Sequence, residues 1–130
     1  MRAKLKKRRT CKPLREIGMA EAMLKLKMST HPVMVQFKTN WCGACAAATP
    51  ELQEASCDLE GEMEVVQVDA EQNSMLASEF GIDAYPTVAV IHRGQVLAKE
   101  VGAAKAKDYK HLAEEFLAKG GYVDPWSPTS

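Results

Sequence analysis

Residues 33–45 read Val-Met-Val-Gln-Phe-Lys-Thr-Asn-Trp-Cys-Gly-Ala-Cys. The first five residues form a nearly continuous apolar run of strand length, which predicts a central strand buried on both faces. A helix-forming stretch follows from Cys45 to about Leu59, with Pro50 inside it. The pair Cys42 and Cys45 therefore lies between a predicted buried strand and a predicted helix.

Helices and strands alternate on both sides of this segment. Upstream, residues 12–17 form a weak candidate strand, and apolar residues recur at helical spacing in Met19, Ala22, Met23 and Leu26. Downstream, we predict strands at 63–68, 87–92 and 95–101 and helices at 73–80 and 105–119. Arg93-Gly94 between the last two strands is a hairpin signal. This order predicts an α/β fold with a central mixed sheet of four to five strands and helices on both faces.

The charge is unevenly distributed along the 130 residues, which suffice for one domain. The formal net charge is zero, but residues 1–15 hold eight basic side chains and no acid, which leaves nine basic and seventeen acidic residues in the remainder. We expect a basic flexible arm over 1–13, a domain over 14–119 and a tail over 120–130. The arm is interpreted as a solvated tail. Attachment to nucleic acid or an anionic membrane, or a targeting role, are the alternatives, although no interleaved aromatics support base stacking.

The sequence carries no signal for a membrane span or for export. No apolar run approaches the ~18 residues that a transmembrane helix needs, and no apolar segment follows the basic N-terminus. We therefore expect a cytoplasmic protein. In that reducing compartment a close cysteine pair is catalytic or metal-binding more often than it is a structural disulfide.

The spacing of Cys42 and Cys45 suits thiol–disulfide exchange. Two intervening residues at a helix start allow the sulfurs to meet, and the first sulfur lies near unpaired N–H groups and the positive end of the helix dipole. Because those groups stabilise a thiolate, we expect Cys42 to be the exposed nucleophile and Cys45 the more buried resolving thiol. Gly43 allows another backbone to approach closely, and Ala44 starts the helix without steric hindrance.

A half zinc site is the alternative reading of this motif. Zinc would require two further ligands, yet Cys11 lies in the arm, Cys57 stands alone, and His31, His92 and His111 form no ligand pair. We therefore expect no metal, and no organic cofactor. Cys57 is interpreted as a half-buried structural thiol, with a regulatory or glutathionylated thiol as the alternative, and Cys11 as incidental.

Several motifs resemble the thioredoxin family. Residues 41–45, Trp-Cys-Gly-Ala-Cys, are similar to that family's Trp-Cys-Gly-Pro-Cys site, and Pro50 matches the proline that kinks its active-site helix. Residues 80–87, Phe-Gly-Ile-Asp-Ala-Tyr-Pro-Thr, are similar to the segment that ends in cis-Pro-Thr. Residues 101–103, Val-Gly-Ala, resemble the turn before the last helix. The resemblance covers about residues 14–119.

This resemblance implies the thioredoxin fold, with Pro86 cis beside the sulfurs. It also implies a protein-disulfide reductase that contributes to electron transport and cell redox homeostasis. An extended substrate would pair with the backbone beside Tyr85, within a shallow apolar rim formed by Trp41, Ala44, Tyr85, Gly102 and Ala103. The implied partners are protein disulfides and a flavin- and NADPH-dependent thioredoxin reductase or an equivalent donor. We expect a monomer.

The chain departs from the family beside the resolving thiol. Gln36 takes the position of a buried aspartate that helps to move the proton of that thiol, and a neutral amide cannot act as a general base near neutral pH. The partner lysine is also missing from the run Val65-Val66-Gln67-Val68, and Val65 is interpreted as its replacement. We interpret Gln36 as a hydrogen-bonded core residue, so proton transfer at Cys45 would depend on water or another group.

Two other functions stay open at this point. One is a disulfide oxidase or isomerase, because Tyr85 before the proline is more often met in protein disulfide isomerases and Ala44 replaces the usual proline. The other is a thioredoxin-fold binding or scaffold module with incidental redox activity, which recruits its partner through the arm or the Pro-containing tail.

Overall fold

The computed structural model describes residues 11–117. Residues 1–10 of the predicted arm, the end predicted for the last helix and the predicted tail lie outside the described residues. No helix in residues 11–117 is both long and apolar enough to cross a membrane.

A five-stranded mixed sheet forms the centre of the domain. Its strands stand in the order β1, β3, β2, β4, β5. The first three of these run parallel to one another, whereas β4 is antiparallel to both β2 and β5. The prediction of a mixed sheet with helices on both faces is confirmed. The strands are β1 Arg15–Glu16, β2 Val33–Lys38, β3 Glu64–Asp69, β4 Thr87–His92 and β5 Gln95–Val101.

The helices lie close to the predicted positions. The one irregularity is a π-helical turn at Leu24–Met28, which continues the first helix and ends it before the turn at residues 29–32. Apolar spacing alone gives no sign of this turn, because the same side chains satisfy a continuous α-helix. The α-helices are α1 Met19–Met23, α2 Gly43–Asp58, α3 Ser74–Glu79 and α4 Ala106–Leu117.

Two apolar cores cover the two faces of the sheet. Strands β2 and β4 are buried along nearly their whole length because they supply side chains to both cores. On one face, α1, the π-helical turn and α3 pack through Ala22, Leu26 and Leu76. On the other face, α2 and α4 pack through Leu52 and Tyr109. Removing this apolar surface from water is the main force that holds helices and sheet together.

The closing hairpin follows from its turn residues. Arg93 and Gly94 both have positive φ, 51° and 81°, which is the backbone of a type I′ turn whose twist matches the flanking strands. Gly94 adopts this conformation at no steric cost. The hairpin places β5 at the sheet edge, next to β4.

The sheet register brings the cysteine loop and the proline loop together. Phe37, near the end of β2, pairs with Thr87 at the start of the antiparallel strand β4. The residues that follow β2 and those that precede β4 therefore meet at the same end of the sheet, where β2 ends and β4 begins. The helix α2 begins at this end.

Candidate active site

Cys42 occupies the N-cap position of α2. Its backbone is extended, and its sulfur accepts a hydrogen bond from the backbone N–H of Cys45 at 3.0 Å. The side chain is half-buried. A helix N-terminus with a donor this close favours negative charge on the sulfur, because both the N–H group and the helix dipole stabilise a thiolate.

Cys45 lies one turn further along α2, with only 3% of its surface exposed. Burial raises the pKa of its thiol to about 11, and the hydrogen bond to Cys42 acts in the same direction. A backbone hydrogen bond with Thr39 and the positive charge of Lys38 oppose this rise without cancelling it. The two sulfurs of the pair thus have different surroundings: one is partly exposed at the helix start, and the other is buried and held protonated.

The loop before β4 lies against Cys42. The Tyr85–Pro86 peptide bond is cis, and the Cys42 thiol donates to the carbonyl oxygen of Tyr85 at 3.6 Å. Pro86 itself is buried, and its carbonyl oxygen accepts the N–H of Gly102 at 2.8 Å. Gly102 has a φ of +91°, a conformation that suits glycine. Three separate segments, each singled out in the sequence, therefore converge at this end of the sheet: the cysteine loop, the proline loop and the turn at Gly102.

An exposed indole stands beside the cysteine pair. Trp41 is 80% exposed, and its Nε1 donates to both carboxylate oxygens of Glu71 at 2.9 Å. Gly43 and Ala44 are exposed at the helix start, while Tyr85 is half-buried against the core. Glu71 was not predicted, because it lies 30 positions from Trp41 and no local sequence pattern indicates their contact.

Beneath the site, two glutamines face each other across parallel strands. Gln36 on β2 is in register with Gln67 on β3, and the Nε2 of Gln67 donates to the Oε1 of Gln36 at 2.7 Å. Gln36 is fully buried, and its own Nε2 has no hydrogen-bond partner within the part of the chain that the structure describes. Val65, interpreted as the replacement of the family's lysine, is in register with Met34, and Gln67 is the residue opposite Gln36.

A second polar network supports the loop between β2 and α2. The Nζ of Lys38 pairs with Glu16 at 2.7 Å and donates to the Oδ1 of Asn40 at 3.1 Å. Asn40 in turn donates to Asp69 at 3.4 Å, and the buried Asp69 accepts the N–H of Glu71 at 2.8 Å. The network links β1, β2 and β3 beside the cysteines. Asp69 caps a turn here, since its Oδ1 also accepts the N–H of Gln72 at 3.2 Å, and the role of Lys38 was not foreseen.

The other two cysteines are joined to each other. Cys11 and Cys57 form a disulfide with their Cα atoms 5.6 Å apart. The expectation that Cys11 is incidental was wrong, and so was the expectation of a free thiol at Cys57, although that residue is half-buried as predicted. The pairing was missed because the two residues are 46 positions apart and meet only through the packing of the chain. Within residues 11–117, no group of three or more His, Cys, Asp or Glu residues is arranged to hold a metal ion.

Comparison with known proteins extends this picture. The family model described as Thioredoxin matches residues 19–115. Thioredoxin 1 of Nostoc sp. and the thioredoxin of Synechocystis sp. are each 34% identical over 89 residues, which is 68% of this chain and 83% of the relative. The chloroplastic thioredoxin Y of rice (Oryza sativa subsp. japonica) is 36% identical over 92 residues, 71% of this chain and 55% of the relative.

A solved structure shares the architecture. It comes from a study of thiol resolution in a yeast mitochondrial 1-Cys peroxiredoxin through glutathione and thioredoxin systems. The superposition has a TM-score of 0.65 and covers 76% of this chain and 92% of the other. At 21% identity this likeness concerns the fold alone.

Proposed function

The chain belongs to the thioredoxin family and is a thiol–disulfide oxidoreductase, and from this premise we propose that it reduces protein disulfides through Cys42 and Cys45. The observation that carries the proposal is the difference between the two sulfurs. Cys42 accepts an N–H at a helix start, which suits the attacking thiolate, while the raised pKa of Cys45 keeps the second thiol protonated until it is needed.

In the first step, the Cys42 thiolate attacks one sulfur of a substrate disulfide. The substrate S–S bond breaks, a bond forms between Cys42 and the substrate, and the leaving sulfur departs as a thiolate that takes up a proton. The N–H of Cys45, 3.0 Å from the Cys42 sulfur, stabilises the charge before the attack. This donor belongs to the backbone, so it is in place without any conformational change.

In the second step, Cys45 loses its proton and attacks the Cys42 sulfur. The mixed disulfide breaks, the Cys42–Cys45 disulfide forms, and the substrate leaves with both sulfurs reduced, having gained two electrons. We propose that the proton of Cys45 passes to water or to the departing substrate thiolate, since the amides of Gln36 and Gln67 are neutral and cannot act as a base. We therefore expect a resolving step that is slower, or differently dependent on pH, than one assisted by a carboxylate.

The surroundings of Cys42 favour an extended peptide as substrate. Residues 84–86 precede β4 and lie outside the sheet ladder, so their backbone is positioned to pair with a peptide that carries the disulfide. The exposed face of Trp41 and the backbone near Gly102 would flank such a peptide. We propose that the oxidised protein is returned to the dithiol form by a thioredoxin reductase or an equivalent donor.

The direction of electron flow is tested by the reduction potential of the Cys42–Cys45 couple. A Cys11→Ser/Cys57→Ser variant leaves this couple as the one pair of thiols to be titrated against dithiothreitol or glutathione buffers, with alkylation to count thiols. We expect a potential near about −270 mV, the range of a reductase. A potential of about −180 to −120 mV would instead assign the chain to disulfide formation or isomerisation. If no Cys42–Cys45 disulfide forms at any potential, a binding module would be the remaining candidate function.

A further inference from the structure

The disulfide between Cys11 and Cys57 ties the start of the described chain to the end of α2. Cys57 lies in the last turn of that helix, and Cys11 stands four residues before β1. Their Cα separation of 5.6 Å falls within the range usual for disulfides. The reaction of Cys42 and Cys45 does not use the Cys11–Cys57 pair.

Gln53 holds both partners of this disulfide, one turn before Cys57. Its Nε2 lies 3.7 Å from the Cys11 sulfur and 3.8 Å from the Cys57 sulfur, and it donates to the carbonyl oxygen of Lys12 at 3.0 Å. Its Oε1 accepts the N–H of Leu14 at 2.8 Å. These contacts do not depend on the S–S bond. After the bond is opened they therefore keep the two sulfurs near each other, and closure remains easy.

The disulfide is accessible to a small molecule. Cys11 and Cys57 are both half-buried, and Cys11 lines an open groove of about 740 Å³ together with Lys12, Ser56 and Glu60. The groove carries both signs of charge, since Glu62 and Glu64 also line it. A small thiol that bears both ammonium and carboxylate groups fits this chemistry.

The two sulfurs differ in how well they bear negative charge. Cys57 is in the last turn of α2, where the helix dipole disfavours an anion. Cys11 is followed by the basic residue Lys12. When the bond opens, the thiolate is therefore better placed on Cys11, which makes Cys11 the leaving group and Cys57 the sulfur that is attacked.

The two cysteine pairs cannot exchange within one molecule. Cys42 caps the start of α2 and Cys57 lies fifteen positions further along the same helix, which corresponds to about 22 Å at the rise of an α-helix. Electrons reach the second pair only from another molecule.

We propose that Cys11 and Cys57 form a second disulfide-exchange site that reacts with small zwitterionic thiols, independently of Cys42 and Cys45. A glutathione-type thiolate attacks the Cys57 sulfur, the Cys11–Cys57 bond breaks, and Cys11 leaves as a thiolate that takes up a proton. A second thiol attacks the small-molecule sulfur of the mixed disulfide, releasing Cys57 and the oxidised small molecule. Two thiols thus supply the two electrons that reduce the pair.

The test uses the full chain with Cys42→Ser and Cys45→Ser, which leaves Cys11 and Cys57 as its cysteines. The folded variant is equilibrated with reduced and oxidised glutathione at several ratios, quenched with acid and alkylated. We expect no free thiol in the oxidised form and a reversible change to two thiols without denaturant. We also expect the mixed disulfide to be on Cys57 rather than on Cys11 by about fivefold. Peptide mapping of the wild-type chain gives the same readout if the variant folds poorly.

Three outcomes would overturn the proposal. They are free thiols at both positions in the oxidised protein, reduction that requires denaturant, and a glutathione adduct that prefers Cys11. A Gln53→Leu variant is the matched comparison. Because it removes the contacts that hold the opened sulfurs together, we expect a several-fold larger fraction of mixed disulfide at a given glutathione ratio, and an unchanged fraction would also count against this mechanism.

Discussion

A Cys42→Ser variant is expected to reduce the disulfides of insulin at least about 10³-fold more slowly than the wild type, because a site without its nucleophile retains only residual catalysis. Serine is nearly isosteric with cysteine and can keep the hydrogen bond from the Cys45 N–H. It cannot form a mixed disulfide, however. The loss should therefore appear in the rate of turnover with dithiothreitol as electron donor, while the fold, followed by circular dichroism, stays the same.

A Cys57→Ser variant is the matched control for this experiment. It removes a cysteine from the same helix, about 22 Å along its axis and outside the site that carries the proposed reaction. Its rate of insulin reduction should stay within about twofold of the wild type. A Cys42→Ser variant with more than a tenth of the wild-type rate would mean that another sulfur performs the attack.

Replacing Gln67 with methionine should lower the free energy of unfolding by about 1 to 3 kcal/mol, because it leaves the fully buried amide of Gln36 without its partner. Methionine has similar length and fits an apolar interior. The double variant Gln36→Met/Gln67→Met should be closer in stability to the wild type than the single variant is, since replacing both partners by apolar groups is nearly neutral. Urea unfolding of the wild type, the single variants Gln36→Met and Gln67→Met, and the double variant measures these values.

The four proteins form a double-mutant cycle. A coupling free energy of about 1 kcal/mol or more is expected for two residues joined by a buried hydrogen bond. If the stability lost by the double variant equals the sum of the losses in the two single variants, the coupling free energy is near zero. That result would show that the two amides do not depend on each other.

Much of the fold could be predicted because its signals are local. The hairpin was placed at its observed bounds by an Arg-Gly turn between two strand-like runs, and the apolar run at residues 33–37 predicted the central strand. The cysteine pair and the proline loop were recognisable as short motifs. The structure brings them within 3.6 Å of each other.

The remaining features depend on contacts between distant residues. Gln67 was not predicted as the partner of Gln36, because strand register cannot be read from a run of valines. The Cys11–Cys57 pair and the contact of Trp41 with Glu71 span 46 and 30 positions. No role was predicted for Lys38, because only the packing of β1 beside β3 gives it Glu16 as a partner.

In the proposed mechanism, Cys42 attacks a protein disulfide and Cys45 resolves the intermediate. The most direct test of this mechanism is covalent capture by a variant with Cys11→Ser, Cys45→Ser and Cys57→Ser, in which Cys42 is the remaining cysteine. Incubated with a disulfide-containing protein, this variant should accumulate a one-to-one complex that survives non-reducing electrophoresis and is released by dithiothreitol. A yield no higher than that of the variant that also carries Cys42→Ser would contradict the account.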